Sequence, residues 1–146
     1  MAKINRHGQA TWWGTLREGK GAVSTESGAL EALAYSFYTR FENEPGTNPE
    51  ELIAGAHAAC YSMAFSATLG NKGYTPKRIE THATCVMSPL EGGGFVITEM
   101  QLVVRGEVPG LDNDTFVAIA HEADGECPVS NLLRNGLTIK LDAALA

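Results

Sequence analysis

The chain has 146 residues, 44% hydrophobic and 19% charged, enough for one domain whose core needs no staples. Its net charge of −6 argues against a surface that displaces counterions from nucleic acid, and no block of like charge offers an interaction tail. Three widely spaced cysteines are not the disulfide framework of a small secreted protein; they leave catalytic thiols, metal ligands or inert core residues.

The first fourteen residues carry Lys3, Arg6 and His7 but no apolar run of the kind a secretion signal needs, so the expected compartment is the cytoplasm. Residues 9–14, with Trp12 and Trp13, predict a short strand. Gly19, Lys20 and Gly21 predict a turn with glycine at positive φ, and residues 22–25 a second strand, together a hairpin. Residues 30–41 fit two periods. Leu30, Leu33, Ala34 and Phe37 suit a helix; Tyr35, Phe37, Thr39 and Phe41 suit a strand, which the aromatic side chains favour. On the strand reading Arg40 points away from that row.

Asn48, Pro49 and Glu51 make the clearest helix start, as N-cap, first helical residue and capping-box position. This helix is expected to run to about Leu69 and to stop at Gly70-Asn71. Leu52, Ile53, Ala56, Cys60, Met63, Ala64 and Phe65 leave it little polar face, which predicts a buried central helix. Residues 52–69 are also the most membrane-like stretch. His57, Ser62, Ser66 and Thr68 make it too polar, and it barely reaches the ~18–20 residues of a span.

Residues 77–88 and 95–107 read as strands joined by Gly92-Gly93-Gly94. Residues 113–124 read as a helix capped by Asp112 and ending near Gly125. Residues 128–134 read as a short helix with Cys127 at its N-cap, ended by Asn135-Gly136, and residues 137–141 as a last strand. Strands at both ends with helices between them predict an α+β fold. The expected layout is a single domain, 1–146, with an N-terminal β part to about 45, a central helix at about 48–70 and a C-terminal α+β part at about 77–146.

Chemistry rests on the thiols. Cys127 precedes a proline at a helix start, where unpaired N–H groups and the helix dipole stabilise a thiolate; a residue that merely caps is the plainer alternative. Cys60 lies mid-helix on an apolar surface, where cysteine usually acts as a small hydrophobe. No helix end is expected near it, so a cation from elsewhere must activate it if it reacts. Cys85 alternates in phase with Ile79, Thr81, Ala83 and Met87, which predicts packing. His57 and Cys60 are spaced as a helical metal-ligand pair, but no second pair completes a site. His7, His82 and His121 have no recognisable partners, and the glycine-rich phosphate loops are absent.

The segment Gly46-Thr47-Asn48-Pro49-Glu50-Glu51-Leu52, followed by Ala56-His57-Ala58-Ala59-Cys60, resembles the signature of the OsmC/Ohr family, the osmotically inducible and organic hydroperoxide resistance proteins. Cys127-Pro128-Val129-Ser130 resembles its second cysteine motif. Gly8-Gln9-Ala10-Thr11-Trp12, Gly21-Ala22-Val23-Ser24-Thr25 and Thr39-Arg40-Phe41-Glu42 resemble the OsmC branch more than Ohr. The resemblance covers nearly the whole chain. It implies an intertwined homodimer with β-sheets wrapped around two central helices, and a thiol peroxidase that turns organic hydroperoxides into alcohols in oxidative or osmotic stress. It assigns attack to Cys60, resolution to Cys127 and supporting roles to Glu50 and an arginine: Arg40 on the OsmC pattern, Arg17 on the Ohr pattern, Arg40 being preferred. An external dithiol, lipoyl groups being suggested, would reduce the Cys60–Cys127 disulfide. No metal, haem or flavin is implied, and neither a nucleic acid nor a membrane partner. The other class open to the same thiols is a redox sensor or ligand-binding stress protein without turnover.

Overall fold

The computed structural model describes residues 2–146. The chain forms two compact units, the first ending at Leu52 and the second being Ile53–Ala146.

In the first unit β1 (Gly8–Trp13), β2 (Lys20–Thr25) and β3 (Leu33–Ser36) form an antiparallel sheet in that order. The hairpin loop lies earlier than expected. Lys20 already pairs with Trp13, and Gly14, at φ 90°, takes the left-handed position. Gly21 has a different reason to be glycine. It sits opposite both Trp12 and Tyr35, and a Cβ there would come within 2.4 Å of the Tyr35 ring. The open position lets that ring approach Trp12, with centroids 5.5 Å apart.

The strand expected through Phe41 ends at Ser36. Ser36 Oγ accepts the Thr39 N–H at 3.2 Å, and Thr39 Oγ1 accepts the Ser36 N–H at 2.8 Å. This reciprocal cap satisfies two backbone donors locally and turns the aromatic run into a short helix, α1 (Phe37–Phe41). Phe37 and Phe41 then meet one turn apart, ring centroids at 4.8 Å.

The long helix α2 (Pro49–Asn71) runs from the first unit into the second. It starts as predicted, with Asn48 Oδ1 accepting the Glu51 N–H at 2.8 Å. It ends later than predicted: Gly70 and Asn71 are helical, and Gly73, at φ 85°, carries the chain out. The Tyr74 N–H reaches the Leu69 carbonyl and the Gly73 N–H reaches the Gly70 carbonyl, each at 3.0 Å, closing a Schellman motif. The expectation of burial all round is corrected as well. His57, Tyr61, Phe65, Thr68 and Leu69 form one buried stripe, while Ala59 and Ser66 are exposed and Met63 is 75% exposed. The helix is long and apolar enough to cross a membrane by length and composition, but its buried stripe belongs to a protein core.

In the second unit β4 (Arg78–Pro89) and β5 (Phe95–Glu107) pair antiparallel, joined through Gly92, Gly93 and Gly94, all at positive φ. β6 (Thr138–Leu145) lies parallel on the other edge of β5 and extends past the predicted strand. Between β5 and β6 come α3 (Asn113–Glu126), with Asp112 Oδ1 accepting the Thr115 N–H at 2.9 Å, and α4 (Pro128–Arg134). The core joins Tyr61, Phe65 and Leu69 to Leu102, Val104 and the α3 face of Phe116, Ile119 and Ala120. Phe116 lies over Gly106, where a Cβ would meet its ring at 2.6 Å. Tyr61 donates its hydroxyl to the Ala120 carbonyl at 2.7 Å. On β4, Cys85 shares the half-buried face with Ile79, Thr81 and Ala83, as the alternation predicts. His82 does have a partner, Glu80, at 3.1 Å on the same strand face. The fold class is α+β, as expected.

Candidate active site

Proline shapes the corner that carries Cys127. A residue before proline is driven to extended backbone, and Cys127, at φ −73° and ψ 117°, ends α3 and caps α4 at one sharp corner. Cys127 is fully buried in the core cluster, and its side chain makes no cap hydrogen bond. Its thiol neighbours that of Cys60, which is half-buried on α2; neither is in a disulfide. The fold thus brings together the two thiols that the sequence motifs singled out.

One sequence expectation is overturned here. The start of α4 gives the Cys127 side chain no cap hydrogen bond; the Val129 backbone N–H, in its first turn, acts instead on the Cys60 thiol and pulls it down. A helix end therefore does reach Cys60, by a tertiary contact between residues far apart in sequence. Its effect is outweighed. Burial pushes the Cys60 thiol above its ordinary range, the Val129 N–H pulls it down, and the neighbouring Cys127 thiol pushes it up again, leaving it raised. Among the described residues, no cation is one of the groups that shift it.

Beside the thiols lies a buried polar pair. His57 Nε2 and Ser130 Oγ are 2.8 Å apart, both residues fully buried. Burial holds the His57 imidazole below its ordinary range; Asp124 opposes this and Arg134 adds to it. Its Nδ1 has no hydrogen-bond partner among the described residues. The corner behind the pair is pinned by Arg134, whose Nη2 donates to Asp124 Oδ2 at 2.9 Å, and by Asn131 Nδ2, which donates to the Gly125 carbonyl at 2.8 Å. Sequence reasoning considered His57 only as a metal ligand and missed Ser130. The available signal was the shared spacing: His57 precedes Cys60 by three residues, and Ser130 follows Cys127 by three.

Arg40 and Glu50 meet within the first unit. Arg40 Nε lies 3.1 and 3.2 Å from the two Glu50 oxygens and Nη2 lies 2.7 Å from Oε1, a bidentate ion pair. The Glu50 side chain is 12% exposed and that of Arg40 36%. α1 delivers Arg40, and Asn48 fixes the start of α2 by donating Nδ2 to the Thr39 carbonyl at 3.3 Å. The Arg40 guanidinium also lies 5.1 Å from the centre of the Phe41 ring, and that of Arg17 lies 4.9 Å from the centre of the Phe37 ring. The start of α2 also borders an apolar hollow of about 240 Å³, lined by Ala10, Val23, Tyr35, Pro49 and Leu52 among others.

A profile of the family described as OsmC-like protein matches residues 41–142. The chain is 49% identical over 136 residues to the peroxiredoxin OsmC of Escherichia coli K12, covering 93% of this chain and 94% of that one. It is 28% identical over 129 residues to an organic hydroperoxide resistance protein of Xanthomonas axonopodis pv. citri, covering 88% and 87%. The fold matches the crystal structure of an organic hydroperoxide resistance protein from Elizabethkingia anophelis with a TM-score of 0.79 at 24% identity, over 100% of both chains.

Proposed function

The chain belongs to the OsmC-like protein family and is a cysteine-based peroxidase, and we propose that it reduces organic hydroperoxides through Cys60 and Cys127. The observation that carries this reading is the contact of the two thiols, with the Val129 N–H on Cys60. The Cys60 thiolate attacks one peroxide oxygen, the O–O bond breaks, and the alkoxide leaves and takes up a proton. Cys60 becomes a sulfenic acid. Cys127 then condenses with it, forming the disulfide and releasing water. An external dithiol reduces the disulfide by exchange and is itself oxidised.

The raised Cys60 thiol needs a cation to become a nucleophile at neutral pH. In this reading Arg40 supplies it, held by Glu50, and the same guanidinium steadies the leaving alkoxide. The apolar hollow at the start of α2 suits the hydrocarbon part of the substrate. The protein acts as a homodimer in which Arg40 and Glu50 of one chain complete the thiol site of the other. The exposed Met63 face of α2 supports such an assembly, since it leaves an apolar helix half uncovered in a single chain.

Steady-state consumption of cumene hydroperoxide, t-butyl hydroperoxide and hydrogen peroxide, each with dihydrolipoamide or glutathione, tests the function. Turnover should be fastest with the organic peroxides and dihydrolipoamide. A single stoichiometric oxidation without turnover under any dithiol would instead mark a redox sensor.

A further inference from the structure

We infer that His57 is a positioning residue for disulfide formation: through Ser130 it holds the first turn of α4 against α2 and so sets where the Cys127 sulfur and the Val129 N–H stand relative to Cys60. Two parallel rungs join these elements. On α2, His57 and Cys60 are one turn apart; at the start of α4, Cys127 and Ser130 are too. One rung is the thiol contact, and the other is the 2.8 Å bond between His57 Nε2 and Ser130 Oγ. The thiol rung changes chemistry in every cycle, from dithiol to sulfenic acid to disulfide. The imidazole–hydroxyl rung need not change.

Packing alone does not account for the histidine. It lies in a stripe shared with Tyr61, Phe65, Thr68 and Leu69, is fully buried, and leaves Nδ1 without a partner among the described residues. An apolar side chain would avoid that desolvation cost. What the imidazole adds is the bond to Ser130. Being shut away from water, that bond cannot be replaced by a solvent hydrogen bond when it is broken.

This inference rests on the peroxidase reading, but its test does not need peroxide. The effective concentration of the Cys60–Cys127 pair is measured by equilibration with reduced and oxidised glutathione, and the Cys60 titration is followed by thiolate absorbance. Wild type is compared with His57→Leu, His57→Gln and Ser130→Ala. Loss of the buried bond in His57→Leu or Ser130→Ala should lower the effective concentration about tenfold and raise the Cys60 pKa. His57→Gln places an amide near the Nε2 position and should recover to within about threefold of wild type. A folded His57→Leu protein with wild-type values overturns the inference, as does a His57→Gln protein no better than His57→Leu. Should His57→Leu fail to fold, Ser130→Ala and His57→Gln decide it: unchanged values in the first or a full loss in the second overturn it. A wild-type chain that turns over no peroxide yet shows the predicted differences overturns the peroxidase reading alone.

Discussion

At the scale of single residues, the three cysteines receive different fates from their surroundings. Cys60 and Cys127 touch, whereas Cys85 sits on a half-buried strand face. Cys60→Ser should therefore abolish turnover. Cys127→Ser should consume about one peroxide per chain and accumulate a Cys60 sulfenic acid, which a dimedone-type trap detects by mass. Cys85→Ser should leave the rate nearly unchanged. A Cys60→Ser protein with a normal rate would end this assignment. The arginines separate equally well. Both rest on an aromatic ring, Arg40 on Phe41 and Arg17 on Phe37, but Arg40 is also held by Glu50. Arg40→Ala should raise the Cys60 pKa and slow its reaction with peroxide, by tenfold or more if oxyanion stabilisation is also lost (~1–3 kcal/mol). Arg17→Ala should change neither. A raised pKa in the Arg17 variant together with an unchanged one in the Arg40 variant would transfer the role to Arg17.

At the scale of elements, the proposed site depends on how each of α1, α2 and α4 is started. α1 exists because Ser36 and Thr39 cap each other, and it carries Arg40. Ser36→Ala should cost about 1 kcal/mol of stability and lower activity through Arg40, although Ser36 is not expected to touch substrate. Urea unfolding and peroxidase rates read the two effects; full stability and full activity would show that the cap is dispensable. The α2–α4 contact carries a pH dependence. The folded pKa of His57 lies below its unfolded value near 6.5, so between the two the unfolded chain binds more protons than the folded one. Stability should fall as pH drops below that value, and His57→Gln should remove this component. Equal pH slopes in the two proteins would refute it. These elements also show what could be read in advance. The start of α2 was legible because Asn48, Pro49 and Glu51 are local signals, and the Cys127 corner was legible because Pro128 restricts the residue before it. α1 was missed because a two-residue side-chain exchange overrode an aromatic strand pattern. The influence of the Val129 N–H on Cys60 and the His57–Ser130 pair were not legible, since each joins segments brought together only by the fold.

At the scale of the whole molecule, the question is which chain supplies which group. α2 is unbroken from Pro49 to Asn71, so the ten positions from Glu50 to Cys60 rise about 15 Å along its axis. A glutamate side chain does not span that rise to reach a group beside the thiol. The proposed homodimer removes the difficulty by taking the acid and the arginine from the partner, and the Arg40–Glu50 bond within one chain requires that they come from the same partner. Two mixing experiments, under conditions that exchange subunits, follow from this. Cys60→Ser mixed with Glu50→Ala should regain activity, because one site of each heterodimer then joins an intact Cys60 to an intact Glu50, about one working site per heterodimer. Arg40→Ala mixed with Glu50→Ala should regain none, because every site in that heterodimer lacks one member of the ion pair. Recovery in the first mixture and silence in the second is the signature of a pair that travels on one chain and works on the other. Verified heterodimers of Cys60→Ser and Glu50→Ala that stay inactive would place the glutamate's role within its own chain, and recovery in the second mixture would separate the arginine from the glutamate.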